Sequence, residues 1–252
     1  MISSTKNIIQ KIFNLFNYEL NQFSLNSLDL KNEEYKYIQK IINISNKFSM
    51  IGKKRMYFTV QAMLYAKNNK LQGDLVECGV WRGGTILLYK LFNDFYNLNK
   101  SIFAYDTFEG MGMPTKFDID HQGFLASEQM KLTKKSEKLK NIHCFAEIEN
   151  VKKNILKYSK LDNINFIKGQ VENTLRLEKN LPKKISILRL DTDFYESTKI
   201  ELEILYPRLV DGGVLIIDDY GHWKGCRKAT DEFFNKKWLH VVDYSCRYII
   251  KN

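Results

Sequence analysis

The sequence predicts an α/β fold: a mostly parallel sheet with one antiparallel strand and helices on both faces. Three observations carry this expectation. Short apolar runs alternate with stretches of helical periodicity along the chain. A glycine-rich turn, Gly79–Gly84, joins the first of those runs to a helix-spaced segment. The chain closes on two strand-like runs, Leu239–Val242 and Tyr248–Ile250, near enough in sequence to pair as a hairpin.

Taken in order, residues 1–49 are rich in Asn, Lys and Ser with interspersed aromatics. Ile8, Ile9, Ile12, Phe13, Leu15 and Phe16 recur at helical spacing, and Tyr37, Ile38, Ile41 and Ile42 share a face of a second helix from Glu33 to Asn46. This region reads as an N-terminal helical appendage. Its roles are a lid over a site, a contact with a partner or a second copy of the chain, or packing against the main domain. Residues 50–252 read as that main domain. Met50-Ile51-Gly52 leads into a helix over Lys53–Asn68, with Tyr57, Val60, Met63 and Leu64 apolar.

Asp74–Cys78 is the first strand, and Ile86, Leu87, Leu88, Leu91 and Phe92 mark the helix after the turn. Glu77 sits near the end of that strand, and Gly79, Trp81, Gly83, Gly84 and Thr85 lead into the helix. The spacing E-x-G-x-x-x-G is not the dinucleotide fingerprint G-x-G-x-x-G. It suits a cofactor without a pyrophosphate, such as S-adenosylmethionine. The alternative is an ordinary tight strand-to-helix turn. Ser101–Tyr105 is the second strand and ends at Asp106. A carboxylate there can accept hydrogen bonds from both hydroxyls of a ribose, or can cap a turn.

Met111–Glu137 shows no firm periodicity, and Gly112, Pro114 and Gly123 punctuate it. A stretch of that length inside a domain reads as a functional loop or a mobile cover. A helix over Ile148–Tyr158 and a third strand, Asn165–Lys168, follow, the strand stopping at Gly169-Gln170. The fourth strand, Ile185–Leu190, ends at Asp191. After a helix over Ser197–Arg208, Asp211-Gly212-Gly213 turns the chain into the fifth, Val214–Ile217, which ends at Asp218-Asp219. A last helix covers Gly225–Asn235.

In open α/β sheets ligands bind beyond the carboxyl ends of the strands. Asp191, Asp218 and Asp219 end two strands expected to be neighbours. Three carboxylates meeting there repel one another unless a cation sits between them. Oxygen ligands suit Mg²⁺, or Mn²⁺ or Ca²⁺. The alternative is a set of turn and cap aspartates facing water. Asp193, Tyr195 and His222 flank the set as candidate substrate contacts or structural residues, His222 also as a base.

The residues Gly73–Gly84, Leu188–Thr198 and Asp218–Gly221 together resemble the macrocin O-methyltransferase family. The similarity runs from about Met50 to Phe234 and includes Cys226-Arg227-Lys228-Ala229. The resemblance implies a Rossmann-like class I methyltransferase sheet, S-adenosylmethionine and Mg²⁺ as cofactors, and a sugar hydroxyl as acceptor. It implies that Glu77, Gly79, Trp81, Asp106, Thr107 and Phe108 surround the cofactor, that Met50-Ile51 cover part of it, and that Asp191, Asp218 and Asp219 bind the metal. Beside the third strand the family tends to carry an aromatic, whereas this chain has Gln170, which can hydrogen-bond a base. Either Asp191 or Asp193 takes the acceptor proton. Nucleotide sugars, surface-polysaccharide sugars and glycosylated metabolites all fit as acceptors. A noncatalytic sugar- or nucleotide-binding module is the competing reading, and the acidic set argues against it.

Composition bounds the rest. Lys+Arg exceed Asp+Glu by 39 to 29, a formal net charge of +10, which would allow a nucleic-acid methyltransferase. The lysines are spread along the chain without a basic-aromatic patch, so no nucleic-acid partner is expected. The four cysteines, Cys78, Cys144, Cys226 and Cys246, form no C-x-x-C pair, and free thiols point to a reducing compartment. No run approaches the length of a membrane span. The expectation is a soluble, cytoplasmic enzyme.

Overall fold

The computed structural model describes residues 31–234 and 239–252. Seven strands form one sheet in the order β3-β2-β1-β4-β5-β7-β6. They are β1 (Asp74–Cys78), β2 (Ile102–Asp106), β3 (Ile164–Lys168), β4 (Ile185–Leu190), β5 (Leu209–Ile217), β6 (His240–Val241) and β7 (Arg247–Ile250). The first five run parallel, and β7 is antiparallel to both β5 and β6. The helices are α1 (Asn32–Ser45), α2 (Lys53–Asn68), α3 (Gly84–Tyr96), α4 (Ala126–Leu132), α5 (Ile148–Leu156), α6 (Val171–Thr174), α7 (Tyr195–Leu205) and α8 (Lys224–Phe234).

The central strands are apolar on both faces because helices cover both. Alternate residues divide between two cores. Leu75, Ile187, Val214 and Ile216 face the side that holds α1, α2 and α3. Val76, Leu188, Leu215 and Ile217 face α7 and α8. On the first side α1 buries Ile38, Ile41 and Ile42 in the shared core, and the Tyr37 hydroxyl donates to the Leu91 carbonyl at 3.0 Å. Residues 32–45 are therefore packed against the main domain. The helix expected around Ile8–Phe16 lies outside the described residues.

Two expectations need correction. Met111–Glu137 is not structureless: it contains α4, and bridges join Ile119 to Leu125 and Asp120 to Trp223. Asp118, wholly buried, fastens it. One carboxylate oxygen accepts the Tyr195 amide at 2.8 Å, satisfying a free donor at the start of α7, and the other accepts the Thr115 amide and hydroxyl. The helix expected over Ser197–Arg208 begins two residues earlier and gives way to a 3₁₀ turn at Tyr206–Arg208, where Pro207 removes an amide donor. Among the described residues no helix is long and apolar enough to cross a membrane.

Candidate active site

Parallel register carries the carboxyl ends of β1, β2, β4 and β5 to one edge. Cys78 pairs with Tyr105 and with Leu190, and Leu190 with Ile217. The ladder continues one step beyond: the Asp191 amide donates to the Cys78 carbonyl, and the Asp218 amide to that of Leu190, both at 2.9 Å. Gly79, Asp106, Asp191 and Asp218 thus stand side by side around a cavity of about 600 Å³, within the usual size of a small-molecule site.

At the β1 turn, Gly79 and Gly83 adopt left-handed φ of +87° and +88°, and Trp81 does so at +46° without being glycine. The Asp106 carboxylate explains how that turn is held. One oxygen accepts the amides of Val80 at 2.7 Å and Trp81 at 3.0 Å, and the other accepts that of Phe108 at 2.7 Å. Asp106 therefore caps the turn while it lines the cavity. Burial holds its carboxyl above the ordinary range, and the amides of Phe108, Trp81 and Val80 offset only part of that rise. Met50, Ile51, Glu77, Gly79, Trp81, Thr85, Thr107 and Gln170 line the same cavity. Phe108 does not: its ring is 2% exposed and packs on Phe166 in the core, so only its backbone serves the site.

At the β4 and β5 ends the acids divide into two groups. One oxygen each from Asp191, Asp193 and Asp219 lies within 4.8 Å of the others. Asp218, expected in that set, is instead gripped by the guanidiniums of Arg55 and Arg189. Arg189 also pairs with Asp191 at 3.2 Å and Glu77 at 3.3 Å, and Arg55 with Asp243 at 2.7 Å. Burial, then neighbouring carboxylates, lifts Asp191 and Asp219 well above the ordinary carboxylate range. Asp193 is pushed up to about 7, by burial first and by Asp191 next among the raising causes. It holds φ of +67°, so the Asp191-Thr192-Asp193 turn is strained as well as charged. Asp219 Oδ2 is buried without a hydrogen-bond partner. Three convergent carboxylates, raised by burial and then by one another, with a buried Asp219 oxygen that lacks a hydrogen-bond partner, fit a divalent cation with oxygen ligands.

Tyr195 is a third correction to the expected site, after Phe108 and Asp218. Its hydroxyl donates to Glu232 at 2.7 Å and its ring meets Phe117, so it braces α7 on α8 outside the cavity lining. His222 does line the cavity, with Nδ1 3.1 Å from the Tyr244 hydroxyl and its ring beside that of His121. Burial, then His121, lowers its pKa. Sequence reading overlooked Arg55, Arg189 and Asp118. For Arg189 a signal existed: it is the one charge within the apolar run Ile185–Leu190, two residues before an expected metal ligand.

Residues 25–249 match the family described as Macrocin-O-methyltransferase (TylF). The chain belongs to that family. It is an S-adenosylmethionine-dependent O-methyltransferase. Among related proteins, demethyldecarbamoylnovobiocin O-methyltransferase of Streptomyces niveus is 31% identical over 191 residues, 75% of this chain and 68% of the relative. Mycinamicin III 3''-O-methyltransferase of Micromonospora griseorubida is 30% identical over 187 residues, 73% of this chain and 69% of the relative. Among solved structures, the O-methyltransferase NovP superposes with a TM-score of 0.72 at 26% identity, covering 86% of this chain and 98% of its own. The calicheamicin methyltransferase CalS11, at 15% identity and a TM-score of 0.57 over 90% and 96% of the two chains, shares the fold.

Proposed function

We propose that this methyltransferase acts on a sugar hydroxyl of an uncharged glycoside, with Mg²⁺ held in the cavity. The observation that carries the proposal is the convergence of Asp191, Asp193 and Asp219 on the cavity that the Gly79–Gly84 turn also lines. In this reading the turn, Asp106 and Thr107 hold the ribose and methionine parts of the cofactor. Gln170 meets the base, and Met50 and Ile51 cover it from the segment before α2.

The sulfonium methyl is already activated, so the protein's task is alignment of the acceptor oxygen in line with the leaving sulfur. Asp191, Asp193 and Asp219 would hold the cation as the side chains stand. Bound there, Mg²⁺ would supply positive charge that favours the ionised form of a hydroxyl. Asp193 takes the acceptor proton: it lines the cavity, and among the described residues no guanidinium pairs with it. Asp191 is the poorer base, since Arg189 already occupies one of its oxygens. Arg55 and Arg189 neutralise Asp218 and keep its charge out of the reacting centre.

The charge of the cavity supports an uncharged acceptor. Glu77, Asp106, Asp118, Glu172, Asp191, Asp193, Glu196, Asp218 and Asp219 line it. Among the described lining residues Arg55 is the single Lys or Arg, and it is already paired. A diphosphate or a nucleic-acid backbone would meet repulsion here despite the net charge of +10 on the chain. The names of relatives that act on novobiocin and mycinamicin precursors support a glycosylated metabolite. A methyl-transfer screen tests this, with neutral glycosides and nucleotide sugars offered separately. Methylation of neutral glycosides is expected; transfer confined to nucleotide sugars would contradict it.

A further inference from the structure

Beneath the acidic cluster lies a carboxyl group that the chemistry above does not use. Glu201, on α7, is wholly buried. The Thr192 hydroxyl stands 3.0 and 3.1 Å from its two oxygens, and the Cys78 thiol faces it from the end of β1. Its partners are a hydroxyl and a thiol rather than a cation. Burying a carboxyl on such terms is unfavourable, and an apolar side chain would avoid the penalty. Packing alone therefore gives no reason for an acid at this place.

Thr192 is the middle residue of the turn that carries Asp191 and Asp193. Its carbonyl is held as well, by the Phe194 amide at 2.7 Å and the Ser197 hydroxyl at 3.3 Å. Asp193, next in the chain, keeps a left-handed φ of +67°. A residue other than glycine persists there when its surroundings over-determine it. Thr192 is fixed at both its side chain and its carbonyl, and the side-chain anchor is Glu201.

We propose that Glu201 is a positioning residue: its carboxyl grips Thr192 Oγ1 and so holds Asp191 and Asp193 against the cavity. It reaches the reacting groups only through Thr192. Its effect on rate rests on the methyl-transfer reading above; the anchoring does not.

The test compares Glu201→Gln, Glu201→Leu and Thr192→Val in the full chain. Glutamine keeps an acceptor for Thr192, leucine removes it, and valine removes the donor while Glu201 stays. Amide hydrogen exchange over residues 191–198 reads the anchor directly. Exchange there is expected to quicken by about tenfold in Glu201→Leu and Thr192→Val, and to stay near the wild-type rate in Glu201→Gln. In the same two variants kcat should fall by about tenfold or more while cofactor affinity holds within about twofold, and in Glu201→Gln kcat should stay near wild type. The double variant should be little worse than either single one, because both break one contact. Unchanged exchange in Glu201→Leu and Thr192→Val, or a Gln variant as impaired as the Leu variant, would overturn the proposal. Should Glu201→Leu not fold, the Thr192→Val and Glu201→Gln pair still decides it. A wild-type protein that methylates no sugar would contradict the proposed acceptor, and the exchange measurements would still judge the anchor.

Discussion

A Cβ added at Gly79 would run into the carbonyl oxygen of Asp191. The Gly79–Gly84 turn and the turn that carries the acids are therefore packed backbone to backbone, with no side chain between them to yield. Gly79 also holds φ of +87°. Gly79→Ala should cost more than about 3 kcal/mol, since overpacking against backbone adds to left-handed strain. Gly123 is a matched control, with φ of +100° and open space around it, so alanine there should cost about 1 kcal/mol. Thermal unfolding of the two variants compares them.

Asp106 divides its two oxygens among three amides, so it builds the Gly79–Gly84 turn as well as lining the cavity. Asp106→Ala should weaken S-adenosylmethionine binding by about 1–3 kcal/mol, the cost of orphaning those donors. Calorimetry measures this, and an unchanged affinity would remove Asp106 from the site.

The strand ends and the acids on them were legible from alternating apolar runs and from Glu77, Asp106, Asp191 and the Asp218-Asp219 pair. The partition of those acids was not. Whether Asp218 faces a cation or a guanidinium depends on Arg55, which is 163 residues away in sequence and reaches it only through the fold. Tyr195 looked like a site residue because it adjoins the acidic turn. It instead opens α7, where helical geometry directs its ring toward Glu232 and α8. Asp118 sat in a stretch without periodicity, because a loop held by a buried carboxylate leaves no repeat to read.

Raised carboxyls predict a pH dependence whose sign follows from linkage. The folded pKa of Asp193, about 7, lies above its ordinary unfolded value of about 3.9. Its neutral form is favoured by folding, so that contribution is fully present below about pH 4 and lost as pH rises through about 7. In chelator the melting temperature should fall by several degrees from about pH 5 to 8. Added Mg²⁺ should raise it more at the higher pH, because the ion binds ionised carboxylates. Equal Mg²⁺ effects at both pH values would contradict this.

Arg55 pairs with both Asp218 and Asp243, with its side chain 12% exposed. Arg55→Met should destabilise the fold by up to about 3 kcal/mol, the low end for breaking a buried pair. It should also strengthen divalent-cation binding by releasing the Asp218 oxygen that Arg189 does not hold, which calorimetry with Mn²⁺ would detect.

Methyl transfer should depend on a divalent cation at Asp191, Asp193 and Asp219, and cofactor binding should not. The direct measurement is transfer of a labelled methyl group to a neutral glycoside before and after exhaustive chelation, with S-adenosylmethionine affinity measured in parallel. Chelation should abolish transfer, Mg²⁺ should restore it in wild type but poorly in Asp191→Asn, and cofactor affinity should hold throughout. Full transfer after chelation would contradict the claim.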